Sequence, residues 1–225
     1  MNTSQDFRNQ ERPRERLIQH GPKILTTPEL LAVILGTGAK GRDAVQFSTE
    51  LLEQFSGLRN LLAAEHESLR RFKGMGDAKI CQLQAINELA SRSMEEDLRR
   101  SNTLSNSQLV KRYCINRLGH LSIEHCIAIY LDARYRLICC KEVSRGTLTR
   151  TSVYPREVAI EALKLNAAAV ILSHNHPSGI AEASDSDISL TKHLQKALAL
   201  IDISLLDHII VSGKEACSMS EEGLF

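Results

Sequence analysis

Residues 167–187, AAAVILSHNHPSGIAEASDSD, decide how this chain is read. Ala167-Ala168-Ala169-Val170-Ile171-Leu172-Ser173 is a short apolar run with the Val and Ile of a buried strand. His174 and His176 stand where it ends. Side chains alternate across a strand, so the two histidines share a face and Asn175 turns away. Pro177, which has no amide donor, stops the strand. Asp187 falls near the start of an apparent helix from Asp185 to about Leu200, with Ile188, Leu190, Leu194 and Leu198 at roughly helical spacing and Ser184 or Asp185 as its cap. The pattern H-x-H-x7-S-x2-D therefore offers two imidazoles and a carboxylate to one ion. Three protein ligands plus a position left to water distinguish a catalytic zinc site from a closed structural one.

Outside that stretch, composition mostly excludes. A chain of 225 residues holds one large or two small domains, each able to bury a core. Lys and Arg number 28 against 27 Asp and Glu, interspersed throughout, so no long-range basic field points to nucleic acid. The cysteines (Cys81, Cys114, Cys126, Cys139, Cys140, Cys217) contain no C-x-x-C pair, and several sit among apolar neighbours. They read as reduced residues of a cytoplasmic protein. Met1 to Arg16 is polar with no apolar signal core, and no run approaches a membrane span, so no membrane partner is expected.

From about Thr26 to Arg92 the period is helical. Thr26-Thr27-Pro28-Glu29 is a helix start, with Glu29 placed to close a capping box on Thr26, and Gly36-Thr37-Gly38 ends that helix. Further helices are expected over Asp43–Phe55, Leu58–Ala63, around Ser68–Phe72 and from Asp77 onward. Between the last two lies Lys73-Gly74-Met75-Gly76-Asp77-Ala78-Lys79. Its glycines would expose amide groups at a helix N-terminus, a seat for a phosphate, with Lys73 and Lys79 nearby. This resembles a helix-hairpin-helix motif, which grips the DNA backbone without reading sequence; Lys73, Gly74, Met75, Gly76 and Lys79 are the candidate contacts. The competing reading is a connector between packed helices.

Met94 to Ser107 reads as a solvated connector, which puts a helical domain at 1–100 and a second domain at 101–225. Ser107–Leu118 is compatible with a helix. Beyond it, Cys126–Leu131 and Leu137–Cys140 are strand-like and joined by a hairpin, Pro155 opens a helix to about Leu165, and Ile203–Leu206, His208–Val211 and Ala216–Met219 are strand candidates. Helices and strands mix without a βαβ repeat, which favours an α+β fold.

On these residues the carboxyl half resembles a JAMM (MPN+) metalloprotease-type domain, and the whole chain resembles the bacterial RadC family. The likeness runs through Arg14-Glu15-Arg16-Leu17, Leu35-Gly36-Thr37-Gly38, the G-M-G turn, Arg145-Gly146-Thr147, Tyr154-Pro155-Arg156-Glu157, His174 to Gly179 and Leu206-Asp207-His208. It implies an all-α helix-hairpin-helix domain followed by a mixed α/β domain layered like cytidine deaminase. It also implies one Zn2+ on His174, His176 and Asp187, and a glutamate that moves the proton of the zinc-bound water. Glu142 is the position that matches, with Glu157 and Glu161 as competing carboxylates on a helix. Ser184 would, by the same resemblance, donate to the developing oxyanion, although a helix N-cap is its other reading. His208, in an apolar strand, reads as structural.

The first expectation is thus a zinc-dependent hydrolase of a peptide or isopeptide bond, with a peptide or protein as substrate. The chemistry itself demands a carboxylate beside zinc, because the proton of the activated water must be taken up and delivered to the leaving amine. A different class is a DNA-associated repair or recombination accessory protein with a non-catalytic metal domain. A small-molecule amide or nucleobase hydrolase fits less well, since the H-x-E and P-C-x-x-C pattern of zinc deaminases is absent.

Overall fold

The computed structural model describes residues 11–146 and 153–225; Thr147 of the Arg145-Gly146-Thr147 stretch lies outside them. The chain divides into two compact units, Met1–Glu88 and Leu89–Phe225. Among the described residues no helix is long and apolar enough to cross a membrane.

The first unit is helical: α1 (Pro13–His20), α2 (Thr27–Leu35), α3 (Ala44–Gln54), α4 (Leu58–Ala63), α5 (His66–Arg70) and the start of α6 (Asp77–Arg100). The capping box expected at α2 forms, with the Glu29 carboxylate accepting from the Thr26 N–H at 2.8 Å and the Thr26 hydroxyl at 2.9 Å. Glu29 also pairs with Arg16 of α1. That helix was not legible in the sequence because it buries no residue and has no apolar stripe. Leu31, Leu35, Phe47, Leu51, Leu61 and Ile80 are among the residues of the core.

The second unit contains the rest of α6, α7 (Ser107–Leu118), α8 (Pro155–Lys164), α9 (Asp185–Ala199) and the strands β1 (His125–Leu131), β2 (Leu137–Arg145), β3 (Ala169–Asn175), β4 (Ser204–Ser212) and β5 (Glu215–Ser218). They form one sheet in the order β2-β1-β3-β4-β5, with β3 and β4 parallel and the other pairs antiparallel. Alternation gives the sheet two apolar faces. Ile127, Ile129, Ile171 and Val211 pack with Val110, Tyr113 and Leu118 of α7 on one. Cys126, Ala128, Val170 and Leu172 pack with Val158 of α8 and Leu194 and Leu198 of α9 on the other. The fold is α+β, as the sequence indicates.

Two expectations fail in this unit. The stretch from Met94 is not a solvated connector: α6 continues to Arg100. Its acidic run misleads, because Met94 and Leu98 recur at helical spacing and reach the core beside α7. Tyr113 donates to Glu95 at 2.8 Å, and Arg99 donates to the Ile138 carbonyl at 2.7 Å. The expected division after residue 100 falls at the end of this helix, whereas the two compact units divide within it, after Glu88. The two strands read at Ile203–Leu206 and His208–Val211 are one, β4, interrupted by a bulge where Val170 faces Leu205 and Ile171 faces Asp207. Asp207 looked like a break because it is polar. It is half-buried, and its carboxylate accepts from Ser218 Oγ at 2.6 Å and from the backbone N–H groups of Ser220 and His208.

Leu98 is fully buried. Leu98→Ala should therefore cost about 2–4 kcal/mol in denaturant-induced unfolding of the full chain; a solvated connector predicts a loss near zero.

Candidate metal centre

His174 ends the regular part of β3 and lies opposite Cys126 of β1 on the α8/α9 face. His176 follows two residues later, held by its N–H to the Val211 carbonyl at 2.8 Å and by the Ser212 hydroxyl, which donates to its carbonyl at 3.0 Å. Asp187 enters from the first turn of α9. Ser184 is the N-cap of that helix: its Oγ accepts from the Asp187 N–H at 3.2 Å and donates to Asp187 Oδ2 at 2.6 Å, while the Ser184 N–H donates to Oδ2 at 2.8 Å. The capping box thus aims the ligand. Of the two readings of Ser184, the cap is the one the structure displays.

The three side chains meet. His174 Nε2 lies 2.9 Å from His176 Nε2 and 3.2 Å from Asp187 Oδ1, and His176 Nε2 lies 3.4 Å from Asp187 Oδ2. One ligand atom from each falls within 4.8 Å of the others. Each imidazole has its other nitrogen tied: His174 Nδ1 to His208 Nε2 at 2.8 Å, and His176 Nδ1 to the Ile180 carbonyl at 3.2 Å. Such ties leave Nε2 as the lone pair of a neutral ring. Two imidazole lone pairs and a carboxylate facing one another repel unless a cation lies between them, so the donor set fits a divalent metal. With no cation between them, a proton on the imidazoles offsets the carboxylate charge instead. Burial alone would raise the Asp187 pKa, but hydrogen bonds with His174 and His176 outweigh it and hold the carboxyl well below the usual range. Hydrogen bonding to Asp187 raises the His176 pKa against its burial, and the negative charge of Glu124 adds to the rise.

Glu142 is not brought to this cluster. It pairs with Ile127, whose side chain lies in the α7 face, so the two-residue period turns Glu142 to the side opposite the metal ligands. There its carboxylate is 2.7 Å from His125 Nδ1. Glu157 is exposed and pairs with Arg156, and Glu161 pairs with Lys141 at 2.5 Å. The carboxylate that sequence reasoning missed is Glu124, half-buried just before β1. Its carbonyl accepts from the Gly146 N–H at 3.0 Å, and its segment is stapled to β3 by Asn175. Asn175 Oδ1 accepts from the His125 N–H at 2.8 Å, and Nδ2 donates to the carbonyls of Leu121 at 3.1 Å and Ile123 at 2.9 Å. The middle residue of His174-Asn175-His176 thus fixes the segment that carries Glu124. One signal was available: Glu124 is the acidic residue just ahead of the apolar strand run.

In the first unit, the five candidate DNA contacts separate. Met75 is buried in the core. Lys79 donates to the Gly38 carbonyl at 2.7 Å and stands 4.2 Å from the Phe47 ring centroid, and burial followed by the charge of Arg42 lowers its pKa. Gly74 has φ +103°, and a Cβ there would meet Ala39 Cβ at 2.6 Å and Phe47 at 2.9 Å. Lys73 and Gly76 are exposed. Asp77, in the first turn of α6, pairs with Arg70 at the helix end proposed for a phosphate.

The fold and the site together define a JAB-type domain with a His-His-Asp cluster whose geometry could hold a metal ion. A RadC-like JAB domain model matches residues 104–224, and a UPF0758 N-terminal domain model matches residues 5–81. The chain belongs to the RadC-like UPF0758 family. It is 54% identical over 211 residues to a UPF0758 protein of Bordetella pertussis, covering 94% of each chain. It is 49% identical over 218 residues to one of a Janthinobacterium species, covering 97% of each, and 45% identical over 222 residues to one of Marinobacter nauticus, covering 99% of each.

The crowding around Gly74 generates a prediction. Gly74→Ala should destabilise the full chain by about 2–4 kcal/mol, through its left-handed backbone and the overpacking against Ala39 and Phe47. Gly76→Ala, in open space at the start of α6, should cost no more than about 1 kcal/mol. Chemical denaturation of both variants checks the contrast.

Proposed function

We propose that the chain is a zinc-dependent hydrolase of the JAMM class that cuts a peptide or isopeptide bond. The observation that carries this reading is the convergence of His174 Nε2, His176 Nε2 and Asp187 on one point at a strand end. A divalent cation bound there polarises a carbonyl oxygen and acidifies water. Two imidazoles and a carboxylate suit zinc, and also iron, cobalt or manganese.

The protein's own groups divide the remaining work. Glu124 takes the proton of the attacking water and delivers it to the leaving amine. It takes this role in place of Glu142 because it stands two residues ahead of Cys126, which pairs with His174 and shares its face, whereas Glu142 pairs with His125 on the other face. Asn175 holds the Glu124 segment in register, and Ser184 orients Asp187. For Ser184 to steady an oxyanion it must give up its bond to Oδ2, since a hydroxyl has one proton. A reducing, cytoplasmic setting suits the free cysteines. The alternative, a DNA-associated accessory protein, has Lys73, Gly74 and Gly76 as accessible contacts, and salt-titrated DNA binding by the full chain separates the two readings.

The test is digestion of a peptide pool and an isopeptide-linked pool by the zinc-loaded chain, with new amino groups counted by mass spectrometry. Glu124→Gln should lower turnover by about 100-fold or more while zinc remains stoichiometric, and Glu142→Gln should stay within a few-fold of wild type. His174→Ala and Asp187→Ala should lose both zinc and turnover. Full activity in Glu124→Gln, or no cleavage of either pool by the zinc-loaded wild type, overturns the assignment.

A further inference from the structure

A buried relay stands behind His174, reaching from β4 to α9, and its hydrogen bonds can run in one direction only. Thr191 Oγ1 lies 2.5 Å from the backbone carbonyl of Asp187, 2.6 Å from His208 Nδ1 and 3.6 Å from Met219 Sδ. His208 Nε2 lies 2.8 Å from His174 Nδ1. Both Thr191 and His208 are fully buried. A carbonyl oxygen only accepts, so the single Thr191 hydroxyl proton goes to Asp187, far nearer than the weakly accepting thioether. Thr191 must then accept from His208 Nδ1–H. In a neutral imidazole this leaves Nε2 as acceptor, and it takes the proton of His174 Nδ1–H. The remaining His174 nitrogen, Nε2, is bare, and it is the one that faces His176 and Asp187.

We propose that His208, steered by Thr191, is a positioning residue that sets the tautomer of His174 so that Nε2 is presented to a divalent cation. The inference rests on the metal reading above and deepens it. The β4 bulge makes the relay possible. Leu205 and His208 are three residues apart and would face opposite sides of a regular strand; the bulge between them turns His208 to the face of Leu205 and His174. The relay also closes on its own starting point. The carbonyl that sets its direction belongs to Asp187, so one residue supplies a carboxylate to the cation and, through its backbone, fixes the tautomer of the neighbouring ligand.

The experiment is competition for Zn2+ between a chromogenic chelator and the full-length protein, alongside the thermal unfolding midpoint of each zinc-free protein. His208→Phe, which fills the space without hydrogen bonds, should weaken Zn2+ binding by about 10–100-fold. His208→Gln should recover most of the loss, because its carbonyl can accept from His174 and its amide can donate to Thr191. Thr191→Val should weaken binding and Thr191→Ser restore it, which keeps the test intact should the phenylalanine variant not fold. Zn2+ affinity within three-fold of wild type in Thr191→Val and in folded His208→Phe overturns the relay. So does His208→Gln binding as weakly as a folded His208→Phe, since that marks a packing role. A wild-type chain that takes up no Zn2+ overturns the metal reading itself and this proposal with it.

Discussion

The two-residue period of β3 as it leaves the sheet is the constraint on which the site depends. His174 and His176 fall on the α8/α9 face because they are two apart, and Asn175 falls on the other because it lies between them. A slip of one residue would send both imidazoles into the α7 core and turn the carboxamide to the metal face. The register is held by apolar packing on both sides of the sheet and by parallel pairing with β4, which continues to the Asn175–Val211 pair. Specificity of the fold and geometry of the site are therefore one requirement. The same alternation lets three consecutive residues supply two candidate ligands and the staple that secures the Glu124 segment.

Around this strand end, polar groups that would be costly to bury become the means of aiming other groups. Asp187 is buried, but the Ser184 cap supplies its carboxylate with donors. His208 is buried with both nitrogens bonded, and burial, the largest influence on it, drives its pKa well below the ordinary histidine value and keeps it neutral. A charged His208 would have to donate from both nitrogens and could not receive the His174 proton. Half-buried Asp207, beside the bulge, is satisfied on the β5 side by Ser218 and Ser220. Each of these groups stands at a junction between elements, so the site is assembled by the packing that stabilises the unit.

How much of this was legible in the sequence varies with how local the information is. His174, His176 and Asp187 lie in one continuous stretch whose periods can be counted, and the structure brings them together. The capping of α2 by Thr26 and Glu29 and of α9 by Ser184 was equally local. Glu124, the base proposed above, was not found because its nearness to the cluster comes from β1 lying beside β3, a pairing that no short pattern encodes. Glu142 was favoured by position in a family pattern, but its side of the sheet depends on register against Ile127. Charge misled in the same way along α6, where Glu95, Glu96 and Asp97 hid the 94/98 stripe. The glycine turn at 74–76 read either as a phosphate seat or as a connector between packed helices, and Gly74 lies where Ala39 and Phe47 leave no room for a side chain.

The central claim is that two histidine Nε2 atoms and one carboxylate share a cation. Anomalous diffraction at the zinc absorption edge, from crystals of the full chain grown with Zn2+, tests it most directly. The account predicts one strong peak about 2.0–2.2 Å from His174 Nε2, His176 Nε2 and an Asp187 carboxylate oxygen, with His174 Nδ1 still on His208. A peak bound through His174 Nδ1, or no peak at this cluster, would contradict it.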